Sequence, residues 1–172
     1  MSERAPEFSR LVQLGRLGAE PFRQRIEATA EEREKLARRF DLMVLDRLVA
    51  EVELQRQSAE VILLEARFES EFVQGCAVTL DPVRGEVAER FSLVYGRAPD
   101  GEEEIALSSE GPAFEVLQGE AIDIGEAVAQ ELSLALPAFP RHHDAAIDDA
   151  ATAEPMAGPF GVLRRLRKDA ES

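Results

Sequence analysis

The chain has 172 residues, one cysteine, no tryptophan and a formal net charge of −14. A single cysteine excludes an internal disulfide and suits a reducing compartment. The acidic excess repels polyanions at long range and speaks against a broad nucleic-acid footprint. No segment reaches the roughly 20 apolar residues of a membrane span, and the polar residues 1–7 hold no apolar secretory core. A cytoplasmic protein without a membrane partner is expected.

Residues 8–14 and 22–28 read as strands, with Phe22, Gln24, Ile26 and Ala28 alternating against Arg23, Arg25 and Glu27. Thr29 followed by Glu32 is a capping-box signal. It opens a helix to about Phe40 whose face is Leu36, Ala37 and Phe40. Leu48, Ala50, Val52 and Leu54 then alternate with polar neighbours, residues 57–60 turn, and Ile62, Leu64, Ala66 and Phe68 return. This predicts a long hairpin over 46–73 with one buried face. Residues 78–82 lead to a turn predicted at Val83, Arg84 and Gly85, and Val87, Phe91, Leu93 and Tyr95 line one side of the next strand.

Residues 98–104 read as a polar loop, and 105–107 and 114–117 as short strands. Asp123 and Glu126 repeat the cap signal before a helix striped with Ile124, Val128, Leu132 and Ala135, which Pro137 and Pro140 stop. From Arg141 the chain is rich in Ala, Asp, Pro and Gly, a composition that predicts disorder.

Strands and two separated helices without βαβ alternation predict an α+β fold. It is mainly antiparallel sheet with a long hairpin and two short helices, plus a flexible C-terminal tail. The expected division is a single domain over 1–140 and a disordered tail over 141–172, with an apolar and basic motif at 159–168.

No dinucleotide fingerprint, P-loop or nucleophile elbow is present. Carboxylates at alternate positions, such as Glu51 and Glu53, are what a solvated strand face requires. Cys76 reads as a small buried hydrophobe. With His142 and His143 it offers metal-capable groups, but zinc sites normally show paired ligands at short spacing, and a solvated loop accounts for His142 and His143. No metal, no cofactor and no catalytic residue are expected.

Charge is uneven. Residues 98–140 carry ten acids and no Lys or Arg, and Glu102, Glu103, Glu104, Glu120, Glu126 and Glu131 are candidates for a docking face toward a basic protein. A solvated face is the plainer account of the same residues. In the tail motif, Phe160, Leu163 and Leu166 with Arg164 and Arg165 look like a short segment that folds on a partner or packs back on its own domain.

Three segments carry a resemblance. Residues 74–91 (QGCAVTLDPVRGEVAERF), 120–140 (EAIDIGEAVAQELSLALPAFP) and the ending Pro159-Phe160-x-x-Leu163-x-x-Leu166 are similar, in the same order, to the YceD-like family of large ribosomal RNA subunit accumulation proteins. The resemblance spans roughly residues 70–168. It implies a non-enzymatic role in synthesis, processing or stability of large-subunit (23S) ribosomal RNA. Many relatives carry further cysteines near Cys76 and after the Pro-x-x-Pro, where this chain has Arg141, His142 and His143, so a cysteine-based metal site does not simply carry over: either His142 and His143 substitute or the site is lost, and loss is the expectation.

The expected function is a ribosome-biogenesis factor that contacts a basic ribosomal or assembly protein, with ribosomal RNA affected indirectly or weakly. One alternative is direct binding of precursor RNA through Arg33, Lys35, Arg38, Arg39 and the tail bases Arg164 to Lys168. The other is a small metal-dependent hydrolase built on His142, His143 and Asp144.

Overall fold

A computed structural model describes residues 6–97, 112–117, 119–142 and 144–145. The chain divides into two compact units, Met1–His142 and His143–Ser172, and the fold below is that of the first. In chain order it comprises β1 (Leu11–Gln13), β2 (Phe22–Glu27), α1 (Ala30–Arg39), β3 (Val44–Arg56), β4 (Val61–Gly75), β5 (Pro82–Gly96), β6 (Ala113–Val116), β7 (Ala121–Asp123) and α2 (Ile124–Ala135). The fold is α+β. A five-stranded sheet runs in the order β2-β3-β4-β5-β6, and β1 and β7 form a separate two-stranded ribbon.

The hairpin of β3 and β4 is the backbone of the sheet, with Leu54 opposite Leu64, Val52 opposite Ala66 and Ala50 opposite Phe68. Its period of two puts Leu48, Ala50, Val52, Leu54, Ile62, Leu64, Ala66 and Phe68 on one buried face. Leu36 and Ala37 of α1, Ile124, Val128 and Leu132 of α2, and Phe8 before β1 complete this core. Each fully buried aliphatic side chain contributes about 1.5–3 kcal/mol. The opposite face of β2 to β5 carries alternating Arg and Glu and stays open to water.

α1 begins as its sequence predicts: the Thr29 hydroxyl accepts from the Glu32 N–H, and the Glu32 carboxylate accepts from the Thr29 N–H. α2 is capped by Asp123, whose carboxylate accepts from the N–H groups of Gly125 and Glu126.

Two expectations are corrected. The first strand covers only Leu11–Gln13, because Phe8 turns in as a fully buried plug and Leu14 opens a 3-10 turn. β5 runs unbroken through Val83, Arg84 and Gly85. Its turn closes earlier: Cys76 N–H donates to Asp81 O, Leu80 N–H donates to Cys76 O, and Leu80 takes a left-handed φ of 66°. Gly85 serves the sheet instead of a turn, since a Cβ there would lie 2.5 Å from the Phe72 ring. β6 joins β5 in parallel, and β7 pairs with β1 over three residues. Residues 98–107, read as a loop and a strand, lie outside the described residues.

Candidate functional site

The Ile-Asp-Ile-Gly-Glu run at residues 122–126 is an anchor for the N-terminal segment. Beyond capping α2, the Asp123 carboxylate accepts from the Ser9 hydroxyl and from the Arg10 N–H at 2.7 Å. A Cβ on Gly125 would fall 2.4 Å from the Phe8 carbonyl oxygen, so only glycine lets the two backbones meet. Arg10 continues the tie, its guanidinium forking onto Glu32 at 2.6 and 2.9 Å. That fork, with the Thr29 cap bonds, holds the half-buried Glu32 carboxyl down at about 2.

The Leu-x-Leu-Pro-x-x-Pro end straps back onto the β4–β5 turn. The Gln74 side chain donates to Pro137 O, and Ala77 N–H donates to Pro140 O at 2.8 Å. The strap leads to Cys76, whose fully buried Sγ accepts from the N–H groups of His142 (3.4 Å) and Val78 (3.5 Å). Led by the His142 bond and followed by the Thr79 hydroxyl, these donors hold the thiol down at about 6 against the opposing effect of burial. Cys76 and His142 are therefore neighbours through a backbone bond, and His143 lies outside the described residues. Among the described residues no three His, Cys, Asp or Glu side chains group as metal ligands would.

The acidic candidates divide. Glu102, Glu103 and Glu104 lie outside the described residues, as do Phe160, Leu163, Arg164, Arg165 and Leu166 of the tail motif. Glu120 is exposed in the turn before β7. Glu126 is engaged: both its oxygens take the Arg39 guanidinium, at 2.7 and 2.9 Å, and Arg39 also reaches Glu7.

Glu131 stands differently. Burial raises its carboxyl first, and the nearby charge of Glu115 raises it further. Tyr95 lies beside them, its phenol pushed up to about 12 by burial and then by Glu115, Asp123 and Glu131. Glu115, brought from β6 by its register opposite Tyr95, is the member that sequence reasoning missed. Its position depends on a parallel pairing that no local pattern signals.

The basic candidates of α1 are largely engaged within the fold. Lys35 pairs with Glu31, Arg39 with Glu126, and Arg33 donates to Ala28 O. Arg38 of α1 is exposed and has no ion pair among the described residues, and further open arginines lie on the solvent side of the sheet. There, register aligns Arg25 (β2), Glu51 (β3), Arg67 (β4) and Arg90 (β5) in one row.

Two of the straps just described, the anchor at 122–126 and the seal of the β4–β5 turn by residues 137–142, involve residues that carry the sequence resemblance. The family of the large ribosomal RNA subunit accumulation protein YceD matches residues 64–159, more than half of the chain. The chain belongs to this family. No curated protein and no solved structure matches the chain. No described helix is long and apolar enough to cross a membrane.

Proposed function

We propose that this protein is a non-catalytic ribosome-biogenesis factor that supports large-subunit (23S) ribosomal RNA by holding a basic ribosomal protein. The family it belongs to is described by accumulation of that RNA and by no reaction. The observation that carries the protein-contact reading is the pair Glu115 and Glu131. Burial raises the Glu131 carboxyl of α2, the charge of Glu115 from β6 raises it further, and no base pairs with either among the described residues. Uncompensated acid next to partly buried surface gains most when a cation arrives, because the cation relieves a repulsion already present.

The exposed Glu120 and, by sequence, Glu102, Glu103 and Glu104 extend the same charge. Steering of this kind raises the association rate and fades as salt screens it over a Debye length of about 10 Å at 0.1 M.

The test is titration of the full chain with purified basic large-subunit ribosomal proteins across a salt series. Tight binding of one or a few that weakens steeply with salt is expected. A Glu115→Gln, Glu131→Gln variant should bind about tenfold more weakly, a loss of about 1.4 kcal/mol. Binding indifferent to salt and to both substitutions would refute the acidic contact.

A further inference from the structure

The sheet has an uncovered face, and its charges are not arranged as a simple solvated surface. On this side β2 to β5 surround a shallow depression of about 520 Å³ into which Arg23, Arg25, Arg67 and Arg90 project. Arg23 is paired with Glu53 and Arg67 with Glu51. Arg25 and Arg90 meet no acid among the described residues, and Arg90 lies directly opposite Arg67 across β4 and β5. Like charges facing each other across strands are destabilising in the free protein. An anion seated between them removes that penalty and receives the planar, bidentate donors that suit a phosphate. Glu65 is the remaining acid of the depression. The local balance is four bases to three acids, positive in a chain whose total is −14.

The same face carries an aromatic ring. Phe114 of β6 aligns with Val94, which aligns with Leu63, so all three point to the open side. The Phe114 ring lies over Gly96, where a Cβ would come within 2.7 Å of it. Val94 is four residues along β5 from Arg90, about 13 Å at the rise of a strand. Guanidinium groups and a half-exposed aromatic ring at this spacing on an open sheet are the pairing that single-stranded nucleic acid uses, phosphates on the cations and a base on the ring.

We infer that the open face of the sheet binds a short single-stranded stretch of RNA, its phosphodiester backbone on Arg25, Arg67 and Arg90 and one base stacked on Phe114. The choice of RNA over an acidic protein rests on the ribosomal reading above. The site lies on the face of the sheet opposite the core, and its residues are distinct from Glu115 and Glu131. The footprint is narrow, a few nucleotides, which is how it coexists with a strongly acidic chain.

The experiment is fluorescence anisotropy of the full chain with a labelled single-stranded RNA of about ten nucleotides and mixed sequence, across a salt series. Binding at low salt is expected, with a log–log salt slope of about −2, as about three phosphate contacts give for a single strand. Arg25→Gln, Arg67→Gln, Arg90→Gln together should weaken it at least tenfold and flatten the slope. The matching Lys triple variant should retain the slope but not the full affinity. Phe114→Leu should weaken binding several-fold with the slope unchanged, which separates stacking from charge.

Glu115→Gln, Glu131→Gln should leave RNA affinity intact, so failure here and failure of the protein contact are separately visible. An unchanged urea midpoint in each variant shows that the fold is kept. Absence of binding at low salt, unaltered binding by the Gln triple variant, or equal affinity for polyglutamate would overturn the inference.

Discussion

The two faces of the five-stranded sheet are built from the same strands and have opposite physics. On the covered face, Leu54, Ile62, Leu64 and Phe68 are almost wholly withdrawn from water beneath the core contributed by α1 and α2. On the open face, the intervening positions carry Arg23, Arg25, Glu51, Glu65, Arg67 and Arg90. The first face holds the fold together. Substitutions on the second cost little stability, because surface ion pairs contribute only about 0–1 kcal/mol. That freedom lets the open face be arranged for a partner, and it leaves like charges such as Arg67 and Arg90 opposed.

The sharpest way to break this comparison is on the covered side. Leu64→Ala removes a side chain with no solvent exposure and should cost about 3 kcal/mol in urea unfolding, within the usual range for a buried leucine. Arg90→Gln, on the open face of the neighbouring strand, should stay within about 0.5 kcal/mol of the parent. Similar losses from the two would dissolve the distinction.

A smaller effect is expected where a charged pair ties the covered side together. The Glu32 carboxyl sits at about 2 in the folded protein, against about 4.5 ordinarily, chiefly because of Arg10. A lowered folded pKa means that the unfolded chain takes up the proton first as pH falls. The stabilisation is thus complete above about 4.5 and is lost between there and about 2. Glu32→Gln should cost about 2 kcal/mol near neutrality, from the cap and the charged hydrogen bonds. It should also flatten the acid limb of a stability-against-pH curve. An acid limb identical to the parent's would assign the pH dependence elsewhere.

The smallest effect carries the opposite sign. Ser70 sits on the covered face at 2% exposure, and its hydroxyl has no hydrogen-bond partner among the described residues. Ser70→Ala should therefore stabilise the protein by about 1 kcal/mol in the same assay. A destabilised variant would mean that the hydroxyl is satisfied in solution.

The sequence discloses the covered face more fully than the open one. Alternation over residues 46–73 reveals the hairpin because one buried face leaves a period-two trace, and Thr29 with Glu32 marks the start of α1 because its cap chemistry is local. The row of Arg25, Arg67 and Arg90 is invisible for a complementary reason. Each arginine is only an outward position in its own strand, and their alignment is created by register across four strands. Glu115 escapes notice likewise, since its approach to Glu131 needs the parallel pairing of β6. Gly85 misleads in the opposite direction: it looks like a turn residue, and its missing side chain serves the Phe72 ring. The anchor at residues 122–126 is half legible, as a helix cap by spacing and as a tie to Ser9 and Arg10 only in three dimensions.

The most direct test of the account is a crossed measurement on one instrument. The parent, the Glu115→Gln, Glu131→Gln variant and the Arg25→Gln, Arg67→Gln, Arg90→Gln variant are each titrated with a basic ribosomal protein and with single-stranded RNA at the same low salt. The account predicts that the acid variant loses the protein and keeps the RNA, while the arginine variant does the reverse. Loss of the same ligand by both variants, or of neither, would contradict a division of labour between the two surfaces.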